Sequence, residues 1–245
     1  MNVIIIGATS GIGKAIAELY AEKGHQIAIL GRRDNLLKDI CHNYHNMIYS
    51  RCDITDVSNC IVSLEQIYNK FRTIDLFFVS SGIGWMNENF DWEKDLLTIE
   101  TNVKGWTAII NWAYQKMQHQ QYGKIAAITS IASIRGLCKA PSYSATKAYQ
   151  SHYLEALRQK SIIDQSNIQV CEIQPGFVKT ALLASPEKLF WVMPVDKVAR
   201  QIVCGLDRNH DKIIVTKRWL IISFFLKIIP NTIIGKICSI NNNSF

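Results

Sequence analysis

Short, continuously apolar runs alternate with longer stretches of helical periodicity along most of this chain. Seven apolar runs read as strands, at residues 3–6, 27–30, 47–50, 74–79, 124–129, 168–173 and 213–216. Helical patterns separate them, at residues 11–24, 34–43, 56–70, 94–119, 143–162 and 195–206. Because the strands show no polar alternation, both faces of their sheet should be covered by helices. The sequence therefore predicts an α/β fold with a doubly wound, mostly parallel, seven-stranded sheet.

The composition favours a single domain with a sizeable core. The chain has 245 residues, of which 48% are hydrophobic and 19% charged, which excludes a disordered protein. No linker-like segment interrupts residues 1–216, which we interpret as one domain, and residues 217–245 form an apolar, basic extension that we expect to pack on it. The seven cysteines form no Cys-x-x-Cys pair, and the N-terminus lacks a signal-peptide pattern. We therefore expect reduced thiols, a cytoplasmic location and no metal site.

A glycine-rich turn directly follows the first apolar run and leads into the first helical stretch. Its glycines, Gly7, Gly11 and Gly13, have the spacing G-x-x-x-G-x-G. Glycine permits a sharp turn and close backbone approach, and the N–H groups at the helix start suit a pyrophosphate. We therefore predict a dinucleotide site, and the alternative is a plain glycine-rich connector. The predicted site also includes the other loop residues Thr9, Ser10 and Ile12.

The second apolar run ends in two arginines, Arg32 and Arg33. An acidic residue at this position would bind the ribose 2′-hydroxyl of NAD, whereas a guanidinium group suits the 2′-phosphate of NADP. The sequence therefore favours NADP over NAD. The alternative is a solvated basic pair at the end of a strand.

Tyr143 and Lys147 are four residues apart in a helical stretch, so their side chains leave the same face one turn apart. Ser130 follows the fifth apolar run, and the three groups together suit proton transfer at an oxygen. A lysine charge about 4 Å from the phenol would lower the tyrosine pKa from about 10 by up to roughly three units. A pKa near neutrality is efficient for general acid–base catalysis. An exposed helix pair is the alternative.

Taken in order, these motifs resemble the short-chain dehydrogenase/reductase family over about residues 1–216. The resemblance implies a Rossmann-type fold and a catalytic tetrad of Asn102, Ser130, Tyr143 and Lys147, in which Asn102 supports a water that relays protons behind Lys147. Asn102, Tyr143 and Lys147 would also contact the cofactor. The resemblance implies further cofactor contacts from Asp53, Ile54, Ser81, Gly82, Pro175, Gly176, Val178 and Thr180. One departure is Ser80-Ser81-Gly82-Ile83, where the family has Asn-Asn-Ala-Gly.

The resemblance implies an NAD(P)-dependent enzyme that interconverts a carbonyl and an alcohol, with Tyr143 as general acid or base. The predicted rim beyond the carboxyl ends of the strands is apolar, which favours a hydrophobic small-molecule substrate. This rim comprises Gly84 to Met86, Ile134 to Ala140, and Ala181 to Met193. Two alternatives are a non-catalytic NADP-binding sensor and a cofactor-using epimerase or dehydratase. We expect a homodimer or homotetramer.

The positive charge is concentrated at the C-terminal end. The formal net charge is +7, and the last 38 residues carry six Lys/Arg against the single acid Asp211. Because the rest of the chain is nearly balanced, we expect no nucleic-acid partner. Residues 219–229 are apolar except for Ser223 and Lys227, and as a helix they span only about 16 Å of a bilayer core of about 30 Å. We favour packing on the core or in an oligomer interface over peripheral membrane contact through residues 218–240.

Overall fold

The structure, a computed structural model, describes residues 1–180 and 191–242. Its strands form one sheet in the order β3-β2-β1-β4-β5-β6-β7, and every neighbouring pair is parallel. The predicted α/β class and seven-stranded sheet are confirmed, although the boundaries differ by a few residues. The strands are β1 Asn2–Ile6, β2 Gln26–Gly31, β3 Met47–Arg51, β4 Leu76–Val79, β5 Tyr122–Ile128, β6 Asn167–Pro175 and β7 Lys212–Val215.

Helices cover both faces of the sheet, which explains why the strands are apolar throughout. Within β1, Val3 and Ile5 belong to one buried cluster, whereas Ile4 and Ile6 belong to the cluster on the opposite face. The first cluster lies under α1, α2 and α7, and the second under α3, α5 and α6. The helices are α1 Gly11–Glu22, α2 Asp34–His42, α3 Val57–Phe71, α4 Trp92–Ile99, α5 Trp106–Gln120, α6 Pro141–Ile163, α7 Val195–Asp207, α8 Lys217–Ile228 and α9 Asn231–Asn242.

The prediction of one continuous helix over residues 94–119 is wrong at its centre. A π-helical turn, Glu100–Gly105, joins α4 to α5 and carries the fully buried Asn102. At Gly105 a side chain would overlap the Ile54 carbonyl oxygen, so the turn is pressed against the segment that follows β3. Such π-helical insertions are rare and occur frequently at functional sites.

The expectation of reduced thiols is wrong for one pair of cysteines. Cys52, just after β3, forms a disulfide with Cys60 in the first turns of α3, with their Cα atoms 5.2 Å apart. The intervening turn brings them together, because the Asp53 carboxylate accepts a hydrogen bond from the Thr55 N–H (3.0 Å) and Asp56 caps α3.

Helix α8, which follows the last strand, is attached to the sheet by few buried side chains. Trp219 and Ser223 are buried, and Arg135 Nη1 donates to the Leu226 carbonyl oxygen at 2.9 Å. The Ser223 side chain, predicted to lie on the only polar stripe of this helix, therefore faces inward. Within residues 1–180 and 191–242, no helix is long and apolar enough to cross a membrane.

Candidate active site

The glycine loop between β1 and α1 has a backbone that only glycine adopts without strain. Gly7 and Gly11 have positive φ angles of 85° and 58°. A Cβ atom at Gly7 would approach the Ser81 N–H to 2.5 Å, and one at Gly13 would overlap the Gly7 carbonyl oxygen. The loop therefore packs tightly against its own helix and against the segment after β4.

The start of α1 offers positive charge beside the glycine loop. The Ser10 hydroxyl does not cap the helix, but accepts a hydrogen bond from Arg33 Nη2 at 2.7 Å. Arg33 also donates to the Thr9 hydroxyl through Nε (3.1 Å) and Nη2 (2.5 Å), whereas Arg32 is simply exposed. The first turn of α1, which includes Ile12, carries no acidic side chain. A guanidinium and a helix N-terminus together favour a phosphate group.

The segment after β6 returns to the glycine loop. Pro175 ends β6, the Gly176 N–H donates to the Val215 carbonyl oxygen at 3.0 Å, and the Thr180 N–H donates to the Val178 carbonyl oxygen at 2.7 Å. The Thr180 methyl group lies 3.2 Å from where a Cβ atom at Gly11 would stand. A cavity of about 540 Å³ lies beside this contact, lined partly by Gly11, Lys14, Lys179 and Thr180.

The segments after β3 and β4 complete the predicted cofactor groove. The Asp53 carboxylate is held by the Thr55 N–H and hydroxyl, and Ile54 is buried against the π-helical turn. The buried Ser81 hydroxyl has no hydrogen-bond partner within the described residues. An unsatisfied buried hydroxyl is costly, and a bound ligand would satisfy it.

The predicted catalytic side chains converge where β5 ends and α6 begins. Ser130 accepts a hydrogen bond from the Ala132 N–H at 3.1 Å, and its hydroxyl also hydrogen-bonds with Tyr143. Lys147 Nζ lies 5.9 Å from the centre of the Tyr143 ring and donates to the Ile128 carbonyl oxygen at 3.0 Å. Gly82 leaves room for this ammonium, because a Cβ atom there would come within 3.2 Å of Nζ.

Asn102 and Gln150 stabilise this arrangement through hydrogen bonds. Asn102 Oδ1 accepts from the Ile83 N–H (2.9 Å), and its Nδ2 donates to the Ile83 carbonyl oxygen (2.7 Å) and the Thr146 hydroxyl (3.1 Å). The fully buried Gln150 accepts from Lys147 Nζ at 2.9 Å and donates to the Asn102 carbonyl oxygen at 2.8 Å.

Sequence reasoning missed Gln150 as a site residue. Its amide links Lys147 Nζ to the Asn102 backbone carbonyl oxygen. Its position three residues after Lys147, on the same helical face, is the signal that could have identified it.

The expectation that Lys147 lowers the pKa of Tyr143 is wrong for this structure. Burial raises the pKa of Tyr143 above its usual value, and the hydrogen bond with Ser130 only partly opposes that rise. Burial also lowers the pKa of Lys147 to about 7. Removal from water penalises the charged form of each group. Tyr143 is therefore a neutral phenol at neutral pH.

The predicted apolar rim is partly described. A side chain at Gly84 would overlap the Tyr143 ring, so the backbone after β4 lies directly on the phenol. Trp85, Met86, Leu137 and Trp191 are large apolar side chains with 42%, 65%, 42% and 47% of their surface exposed. The predicted rim residues from Ala181 to Phe190 lie outside the described residues.

Comparison with known proteins agrees with this architecture. An uncharacterized oxidoreductase of Listeria monocytogenes is 28% identical over 231 residues, covering 85% of this chain and 91% of that protein. A serine dehydrogenase solved with NADP⁺ superposes with a TM-score of 0.81 at 21% identity, covering 88% of this chain and 94% of the other. A short-chain dehydrogenase/reductase from Burkholderia phymatum, solved with NAD, has a TM-score of 0.83 at 18% identity and covers 91% of both chains.

These two structural matches are too distant in sequence to establish more than the fold. The family itself is established by a sequence match that extends from the glycine loop past the segment after β6. Residues 1–188 match the family model described as short chain dehydrogenase. The chain therefore belongs to the short-chain dehydrogenase/reductase family of oxidoreductases.

Proposed function

We propose that this protein is an NADP-dependent reductase or dehydrogenase that interconverts a carbonyl and an alcohol on a hydrophobic small molecule. The observation that carries the proposal is the convergence of Tyr143, Ser130 and Lys147 beneath the glycine-lined groove. A protein that only bound the cofactor would have no need for a phenol, a hydroxyl and a desolvated lysine together.

Tyr143 acts as the proton donor in the reducing direction. Because its pKa is raised by burial, the phenol carries its proton throughout the neutral range and can transfer it to a carbonyl oxygen. The Ser130 hydroxyl donates a hydrogen bond to the same oxygen, where negative charge develops. In the reverse direction the deprotonated Tyr143 accepts the proton of the alcohol, and Ser130 again hydrogen-bonds the substrate oxygen.

Lys147 supports the phenol and binds the cofactor ribose. The Ile128 carbonyl oxygen and the Gln150 amide hold its ammonium in place, and Gln150 is in turn held by the Asn102 backbone. Gln150 is a positioning residue, because it acts on Lys147 rather than on the substrate.

The residues of the groove fit a nicotinamide dinucleotide. When bound, this cofactor supplies or accepts the hydride. The glycine loop would hold its pyrophosphate, Asp53 and Ile54 the adenine end, and Ser81, Gly82 and the segment from Pro175 to Thr180 the nicotinamide end. Arg33, already hydrogen-bonded to Thr9 and Ser10, would bind a 2′-phosphate, which supports NADP. The compared structures hold NADP⁺ in one case and NAD in the other, so the preference rests on this arginine.

Arg33→Ala is expected to raise the KM for NADPH by roughly tenfold or more, because a charge-assisted phosphate contact contributes on the order of 1.5–3 kcal/mol. The KM for NADH should stay unchanged. Steady-state kinetics with both cofactors would measure the effect, and Arg200→Ala on α7 is the matched control. An equal loss with both cofactors would contradict the 2′-phosphate assignment.

The buried Lys147 is expected to make stability depend on pH. Its pKa is about 7 in the folded protein, against about 10.4 in the unfolded chain. Between these values only the unfolded chain is protonated at this residue, so the free energy of unfolding should rise with pH, by on the order of 1 kcal/mol per pH unit. Below about pH 7 Lys147 is protonated in both the folded and the unfolded state, so the free-energy cost of burying its charge is fully present.

Urea unfolding of the cofactor-free protein across this pH window, compared with Lys147→Met, would measure the contribution. The variant should show a smaller rise of stability with pH, because methionine does not titrate. Parallel pH profiles for the two proteins would show that Lys147 titrates normally.

The substrate is proposed to be hydrophobic, because the described rim is formed largely by exposed apolar side chains, among them Trp85, Met86, Leu137 and Trp191. NADPH consumption across a panel of aromatic and aliphatic ketones, aldehydes and sugars would test this. We expect turnover with the apolar carbonyls. Turnover confined to sugars or acids would refute the substrate class, and no NADPH oxidation with any carbonyl would refute the reductase.

A further inference from the structure

Helix α8 presents its apolar side to solvent. Five large side chains are each more than half exposed, whereas Trp219 and Ser223 are buried. A surface helix of a monomeric protein normally has the reverse arrangement, and a contiguous exposed apolar patch marks an interaction site. We refer to these five residues as the α8 face: Leu220, Ile221, Phe224, Phe225 and Ile228.

The orientation of α8 is set by specific contacts. The Trp219 indole fills the space beside Gly176, where a side chain would overlap it, and meets the Phe177 ring edge-on with ring centres 5.2 Å apart. Near the other end of the helix, Arg135 donates to the Leu226 carbonyl oxygen and hydrogen-bonds with Asn231 at the start of α9. These contacts hold the helix with the α8 face directed outward.

The chain segment that contains the α8 face is positively charged. After Asp211 the sequence contains no further Asp or Glu, and it contains five Lys/Arg, of which Lys212 is paired with the buried Glu172. Lys227 is exposed on α8 and forms no ion pair within the described part of the chain, and Arg218 is exposed at the other end of the helix. Apolar side chains flanked by basic residues without acids are complementary to a surface of anionic lipid headgroups.

A second copy of this chain is less complementary in charge to the α8 face than an anionic membrane surface is. A two-fold interface places the same patch of both subunits together, so the basic C-terminal segments would face each other without any acid to offset them. We therefore propose that α8 docks on the surface of a membrane that contains anionic phospholipids, lying in the plane of the interface. The α8 helix has twelve residues, too few to span a bilayer. The inference does not depend on the proposed function.

Vesicle flotation of the full-length protein tests the proposal. Binding should be stronger to phosphatidylcholine vesicles containing phosphatidylglycerol than to phosphatidylcholine alone, and should weaken with added salt. The double substitution Phe224→Glu/Phe225→Glu should lower the partition coefficient by roughly tenfold or more. Lys227→Glu should lower binding to the anionic vesicles by roughly tenfold and leave binding to neutral ones unchanged.

The matched control is Ile162→Glu/Ile163→Glu at the end of α6, where two apolar side chains are 78% and 75% exposed. This variant should bind vesicles like the parent protein. The absence of vesicle binding by the parent would overturn the proposal, as would an equal loss in the control. Light scattering adds a further outcome: if the phenylalanine substitutions dissociate an oligomer and leave vesicle binding intact, the α8 face is a self-association surface instead. Because Lys227 is exposed, its variant keeps the test decisive even if the double variant fails to fold.

Discussion

Tyr143→Phe is expected to lower kcat by roughly 10²- to 10⁴-fold, the usual contribution of a positioned general acid. Phenylalanine keeps the ring, which packs beneath Gly84, and removes only the hydroxyl that hydrogen-bonds with Ser130. The KM for the cofactor and the melting temperature should therefore change little. Turnover of an apolar carbonyl, followed by NADPH absorbance, is the measurement.

The matched control for this change is Tyr149→Phe on the same helix. The Tyr149 hydroxyl lies 2.9 Å from the Thr107 hydroxyl and takes no part in the candidate site. Full activity in Tyr149→Phe together with a large loss in Tyr143→Phe would identify the phenol as catalytic. Unchanged turnover in Tyr143→Phe would contradict the assignment and favour a chemistry that does not use this proton.

Gly84→Ala is expected to lower kcat by roughly 10²-fold, because misplacing a catalytic group by about 1 Å has effects of this size. A Cβ atom at Gly84 would overlap the Tyr143 ring, with two further ring atoms at 2.8 Å. The atoms it meets include Cγ, next to the start of the side chain, so the ring has to move as a whole. The same kinetic assay would measure the loss.

A double-mutant comparison shows whether Gly84→Ala acts through Tyr143. If it does, adding it to Tyr143→Phe should cause little further loss, because effects within one catalytic unit are not additive. Gly235→Ala is the control, since a side chain there has open space around it. If the fold-losses in kcat of the two single variants multiply in the double variant, Gly84 contributes to turnover independently of the Tyr143 hydroxyl.

Much of the fold could be predicted because a strand that is buried on both faces is apolar at every position, and this is visible in the sequence. The run from Val3 to Ile6 is apolar at every position, and in the structure its side chains alternate between two separate cores. The break in the helix at Glu100–Gly105 was missed, although Thr101, Asn102, Val103 and Gly105 all have low helix propensity. Contact between Gly105 and Ile54, distant in the chain, accompanies the insertion.

The candidate site was predicted less completely than the fold. The spacing of Tyr143 and Lys147 was enough to put both side chains on one face of α6. Gln150 was not recognised, and Gly84 was predicted only as part of the apolar rim, because an amide and a glycine have no chemistry that marks them in isolation. Their importance comes from their contacts. Gln150 hydrogen-bonds with Lys147, and Gly84 lies against the Tyr143 ring.

The sequence by itself determined the α/β class and the glycine loop, and it put the candidate phenol of Tyr143 and ammonium of Lys147 on one helical face. Periodicity and spacing are local properties, so they can be read along the chain. Only the tertiary structure decided that burial raises the pKa of Tyr143 and lowers that of Lys147. It also decided that Ser223 faces inward while Phe224 and Phe225 face solvent. Desolvation and exposure depend on neighbours brought from distant parts of the chain, and no pattern within one helix specifies them.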